Sequence, residues 1–218
     1  MKMKNKAIKG ALLILSIGAA CVSPANAAMI LTLTSGSSTT GPLSDNGSGA
    51  ISVAFGTTVG GWSVDAANAY GAPNTTFGYT FTTPGMLFEG VLSSPASGTL
   101  TADLSESGFT APSSGTLAIV LNDAGGTYPV SMTAYINGSS VGSIGTAGGT
   151  LDVNVSGYTT PFTLEEKLVY TANGSVTSGN GQLDLTAPVA VPEPATYGVL
   201  AGLSMLALSV GRTACRKA

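Results

Sequence analysis

From Met29 onward the apolar residues fall at every second position in short runs, and this period of two predicts β-strands. Ile30 to Thr34 opens the series, and Ile51, Val53 and Phe55 then alternate with Ala50, Ser52 and Ala54. Trp62 and Val64 follow, then Phe77, Tyr79 and Phe81, then Leu87 to Leu92. Leu100, Ala102 and Leu104 alternate with Thr99, Thr101 and Asp103. Leu117, Ile119 and Leu121 come next, followed by Val130, Met132, Ala134 and Ile136, and by Leu151, Val153 and Val155. Phe162 to Ala172 and Leu183 to Leu185 close the set.

Between the runs stand clusters of Gly, Pro, Asn, Asp and Ser, such as Asp45-Asn46-Gly47, Gly60-Gly61 and Asn122-Asp123-Ala124-Gly125-Gly126. These residues supply positive φ and preset turns. Asn137-Gly138 between two short runs predicts a two-residue hairpin. No stretch of the body keeps helical periodicity over ten residues. The expected fold is all-β: a single antiparallel β-sandwich of about ten strands. A body of roughly 160 residues can bury about two-thirds of its unfolded surface without disulfides.

The two ends carry a different pattern, and they divide the chain. Residues 1–27 read as a secretory signal peptide: Lys2, Lys4, Lys6 and Lys9, then apolar Ala11 to Val22, then small residues at Ala25 and Ala27. Cleavage is expected after Ala27, with Ala28 as the second choice. Cys21 lacks the large apolar residue three positions earlier that lipidation favours. Residues 28–187 form the β-body, and residues 188–194 a Pro-spaced linker ending in Pro192-Glu193-Pro194. Residues 195–211 carry no charge and as a helix would be about 26 Å long, slightly short of a hydrocarbon core. The basic tail, residues 212–218, contains Arg212, Arg216 and Lys217, which would stop the segment on the cytoplasmic side. The expected chain thus has a signal-peptide helix, a sandwich and a transmembrane helix.

Charge sharpens this division. The formal net charge is −3, but seven of the eight basic residues lie in the two ends. Between Ala28 and Pro194 there are 11 acidic residues and one lysine, Lys167. Such a body is not expected to bind nucleic acid, whose phosphates need Lys and Arg. The chain has no histidine, so Ser-His-Asp and Cys-His catalysis and His-ligated zinc drop out. Cys21 and Cys215 both fall in the ends, leaving the body without a disulfide or a thiol nucleophile.

The stretch Val191-Pro192-Glu193-Pro194-Ala195-Thr196, the apolar Tyr197 to Val210 and the basic tail together resemble a PEP-CTERM sorting signal of Gram-negative bacteria. The tail departs from the family pattern, because Arg212, Arg216 and Lys217 are dispersed around Cys215. The resemblance implies a membrane-embedded exosortase as partner, cutting near Pro192-Glu193-Pro194 after signal peptidase has acted. It also implies export, a transient inner-membrane anchor, then the cell surface or extracellular matrix, with a link to exopolysaccharide, biofilm and floc. The body is similar to the Ser/Thr-rich ectodomains of unknown function that carry this signal, through Val59-Gly60-Gly61-Trp62-Ser63-Val64 and Phe162-Thr163-Leu164.

Several residue groups are candidates for chemistry of their own. Asp103 and Glu106 are candidates for a glycosidase carboxylate pair, but on one strand they point to opposite faces. Asp45-Asn46 and Asn122-Asp123 are oxygen-rich turns able to hold Ca²⁺, though turn chemistry alone accounts for them. Tyr70, Tyr128 and Tyr158 can stack on sugar rings if they share a surface. Glu165-Glu166-Lys167 interrupts the alternation, which points to a charged edge strand or a bulge. Trp62 belongs in the core. Asn46, Asn74, Asn137, Asn154 and Asn173 head Asn-x-Ser/Thr triplets of the kind that so Ser/Thr-rich a chain produces by chance. The expectation is a structural or adhesive protein rather than an enzyme, with no cofactor beyond a possible Ca²⁺. A carbohydrate- or calcium-binding module is the alternative, and a carboxylate-dependent glycoside hydrolase is the weakest reading.

Overall fold

The computed structural model describes residues 28–72, 83–95, 97–122, 130–145, 148–172 and 174–188. These residues contain fourteen strands and no helix. The strands are β1 (Ala28–Ser35), β2 (Ser38–Thr39), β3 (Leu43–Ser44), β4 (Ala50–Val53), β5 (Thr57–Val59), β6 (Trp62–Gly71) and β7 (Gly85–Ser93). Then come β8 (Thr99–Phe109), β9 (Ser114–Asn122), β10 (Val130–Ile136), β11 (Ser139–Ile144), β12 (Gly149–Ser156), β13 (Phe162–Thr171) and β14 (Val176–Thr186). The expected helices fall on residues 1–27 and 195–211, and the Phe77–Phe81 run on residues 73–82; all lie outside the described residues.

Two seven-stranded sheets form. One has the order β11-β10-β13-β8-β1-β2, with β3 also paired to β1; the other is β12-β9-β14-β7-β6-β4, with β5 also paired to β6. Every ladder is antiparallel. Leu31, Leu104 and Leu168 of the first sheet share one core with Trp62, Phe88, Ile119 and Leu183 of the second. Two sheets with a common apolar interior are consistent with a β-sandwich. The alternation explains why. Along β10 and β13 every second residue is buried, so each strand has one apolar and one wet face.

Four strands exceed the expected ten. β2, β3 and β5 are two or three residues long, too short to show a period. β11 carries Val141 and Ile144 as its only large apolar residues, and a register shift opposite Ala134/Tyr135 breaks its alternation. Phe55 lies beyond the end of β4 and is 83% exposed, so the run starting at Ile51 stops one apolar residue early. Leu151 is also exposed; it lies on β12, which among the described residues pairs with β9 alone.

Glu165-Glu166-Lys167 is neither an edge nor a bulge, contrary to the sequence expectation. β13 lies between β10 and β8, and its register shift falls between Phe162 and Thr163. The alternation runs on unbroken and carries the Glu166 side chain into the core, fully buried.

The Asn137-Gly138 hairpin forms as its sequence predicts. Asn137 has φ 50° and Gly138 φ 75°, the two positive values a type I′ turn requires. The Asn137 amide also fixes the neighbouring chain: the Thr163 N–H donates to its Oδ1 (2.9 Å), and its Nδ2 donates to the Thr159 carbonyl (3.2 Å). Asn137→Ala combines left-handed backbone strain with the loss of those bonds and should cost about 1–2 kcal/mol. Denaturant unfolding checks this, and a loss below about 0.5 kcal/mol would show that the turn tolerates alanine.

Candidate functional sites

The structure separates the candidate carboxylate pair. β8 extends through both residues, so Asp103 points out and Glu106 points in. Asp103 meets Lys167 across the strands at 3.5 Å, a half-exposed ion pair. Glu106 is buried. No substrate can lie between two carboxylates on opposite faces of a sheet, so this pair does not form a glycosidase site.

The oxygen-rich turn at Asp45 is satisfied by its own backbone. Asp45 is buried; the Met29 N–H donates to its Oδ1 (3.2 Å) and the Gly49 N–H to its Oδ2 (2.9 Å). Asn46 and Gly47 then take positive φ, and the Ser48 N–H closes the turn on the Asp45 carbonyl. Among the described residues no group of three or more acidic, His or Cys side chains is placed to hold a metal ion. Asp123 lies outside them.

The tyrosines do not form one platform. The Tyr70 ring is buried on β6, and its hydroxyl donates to Glu89 Oε1 (3.2 Å). Tyr158 follows β12, at the far edge of the same sheet; its hydroxyl donates to the Pro112 carbonyl (2.7 Å) and its ring meets Phe162 edge-on. Tyr128 is outside the described residues. A groove of about 540 Å³ opens between β11 and β12 over Ile136, Val141, Val153 and Val155. The side chains of Asn137 and Tyr158 that border it are already committed to backbone partners.

What sequence reasoning missed lies in the interior. Glu106 and Glu166 sit on adjacent strands of one inner face: Glu106 pairs with Leu164, and Glu166 with Leu104, so the two are diagonal neighbours. The Ala72 N–H donates to Glu106 Oε2 at 3.2 Å. Gly71 makes this approach possible, because a Cβ there would lie 2.1 Å from the same oxygen. The Gly71 N–H donates to the Gly49 carbonyl, and the Gly49 N–H to Asp45, so a polar track joins the two sheets at this end.

Burial raises the Glu106 carboxyl to about 8; the Ala72 amide works against this, and the Asp45 charge adds to it. Glu166 is pushed well above the usual carboxylate range by burial. The Phe88 backbone amide offsets part of that effect, and neither Glu166 oxygen has a partner at full hydrogen-bond geometry. Burial also raises the Tyr170 phenol, with Glu166 adding to the shift. Burial thus favours the protonated form of each of these groups, and each is enclosed by the core. A period-two pattern that includes one acid at an inward position was the available signal.

The expected sorting residues Pro192, Glu193 and Pro194, the signal-cleavage positions Ala25 and Ala27, and the membrane-stop residues Arg212, Arg216 and Lys217 lie outside the described residues. Ala28 opens β1, opposite Ser107. Among the described residues no helix is long and apolar enough to cross a membrane. No protein-family model matches the chain, and no curated protein is similar enough to lend it a role.

Proposed function

We propose that this chain is an exported surface or extracellular-matrix protein, structural or adhesive rather than enzymatic. On this reading residues 1–27 direct export, residues 195–211 hold the chain in the inner membrane, and an exosortase-like enzyme cuts near Pro192-Glu193-Pro194. The helices of the full architecture belong to those end segments, around a β-sandwich body. The observation that carries the reading is the succession of Pro-Glu-Pro, 17 uncharged residues, and the basic Arg212, Arg216 and Lys217. A span this short, weakened by Gly198 and Gly202, suits a temporary anchor. The acidic body between the ends suits a soluble matrix component that meets exopolysaccharide.

The test compares the full chain with one lacking residues 191–218, in a Gram-negative host that contains the processing enzyme. The full chain should pass through the membrane fraction and reach the medium with an intact mass that places one cut after Ala27 and another near Pro194. The shortened chain should never enter the membrane fraction and should show the first cut only. Identical fractionation of the two chains, with no second cut in the full one, would overturn the proposal.

A further inference from the structure

The outer face of the second sheet carries a row of polar side chains in register across five strands. Ser52 of β4 pairs with Asn68 of β6, Asn68 with Glu89 of β7, Glu89 with Asn180 of β14, and Asn180 with Asn122 of β9. Four strand-to-strand steps of about 4.8 Å make the row about 19 Å long. The step is close to the repeat of one pyranose unit in an extended β-linked chain.

The row is oriented and underused. Ser52 Oγ donates to Asn68 Oδ1 at 2.9 Å, which turns the Asn68 NH₂ away from Ser52. The Tyr70 hydroxyl pins Glu89 by one oxygen, leaving the other to accept. Asn180 Oδ1 is enclosed and finds no hydrogen-bond partner, which leaves the desolvation of that acceptor uncompensated. Beside the row, Ala66 and Val91 pair in register and both are exposed, an apolar shelf next to a polar rail. A groove of about 310 Å³ lies between them, lined by Ala66, Asn68, Glu89, Val91, Ser178 and Asn180.

From this geometry we infer that the Ser52–Asn68–Glu89–Asn180–Asn122 row binds an extended, uncharged polysaccharide chain laid across the strands. Amides and a carboxylate offer paired donors and acceptors to vicinal hydroxyls, and the Ala66–Val91 shelf takes the C–H face of the ring. The one charge in the row is negative and the body, residues 28–187, holds ten acidic residues against one lysine, so a polyanionic glycan is repelled. This surface deepens the matrix reading by giving it a partner chemistry, but its test uses purified protein and does not depend on sorting.

The full chain in detergent is titrated calorimetrically with cellohexaose, mannohexaose and polygalacturonate. At least one neutral hexasaccharide should bind saturably, with a dissociation constant on the order of 0.1 mM. Asn68→Ala/Asn180→Ala and the isosteric Asn68→Asp/Asn180→Asp should each weaken it about tenfold or more. Asn154→Ala, on β12 outside the row, should leave it unchanged. No binding of either neutral glycan, undiminished binding in both double variants, or tighter binding of polygalacturonate would each overturn the proposal.

Discussion

Replacing Glu166 by methionine should stabilise the protein by about 1–3 kcal/mol at neutral pH. Glu166 is fully buried at the centre of an apolar patch. Leu164 and Leu168 flank it along β13, and Leu104 and Ala134 stand opposite it on the neighbouring strands. Neither carboxyl oxygen is hydrogen-bonded. Protonation removes the charge but leaves an O–H donor and its acceptors without partners, and that deficit is what methionine relieves. Methionine is unbranched and of similar length, so it fills the site without forcing its neighbours off their rotamers. Glu166→Gln keeps the polar deficit and should gain little. In thermal unfolding, each kcal/mol corresponds to about 2–4 °C in a domain of this size. A lower melting temperature for Glu166→Met, or an equal gain for Glu166→Gln, would show that the carboxyl does not carry the penalty assigned to it.

The same residue marks where the sequence stops being legible. Strand positions follow from a period of two, and the pattern places the inward residues of β8, β10 and β13 because each alternates over at least five residues, whereas at β1 the expected opening residue, Ile30, is 40% exposed and Met29, Leu31 and Leu33 face the core. It failed at β13 in one respect. Three charges in succession suggested an interruption, yet the pleat dictates facing by position alone, so Glu166 goes inward while Glu165 and Lys167 go outward. Order within the sheets was not legible either. β13 inserts between β10 and β8, and β14 between β9 and β7, so both ladders join strands that are distant along the chain. The choice between such partners rests on packing between the two sheets, which no local window contains. The polar row on the outer face was hidden for the same reason. Ser52, Asn68, Glu89, Asn122 and Asn180 are spread over much of the chain, and only the registers of four ladders bring them into line. By contrast, Asn137-Gly138 was fully legible because a two-residue turn needs nothing beyond its own residues.

Stability should fall as pH rises from about 4.5 to about 8, and Glu106→Gln should remove much of that fall. In the unfolded chain the Glu106 carboxyl gives up its proton near 4.5, whereas burial, aided by the Asp45 charge, holds it in the folded protein until about 8. Between these values the folded state binds the extra proton, so raising the pH favours unfolding by up to about 1.4 kcal/mol per pH unit. Below the window both states are protonated, and above it both are ionised, so the slope from this residue vanishes on either side. Glu166 acts with the same sign, because burial raises it too. The summed effect of Glu106 alone is a few kcal/mol, a large share of an ordinary domain's stability. Glu106→Gln does not titrate but keeps an oxygen for the Ala72 amide, so it should preserve the joint between β8 and β6 while flattening the profile. Urea unfolding at intervals from pH 4 to pH 9 would reveal this, and superimposable profiles for the two proteins would sink it. Hydrogen exchange adds a local readout. The Glu106 carboxyl, the Ala72 and Gly71 amides and Asp45 form one track between the sheets, so its opening should begin there. The Ala72 and Gly71 amides should lose protection at a lower pH than those of β10 and β13, whose bonds lie within one sheet.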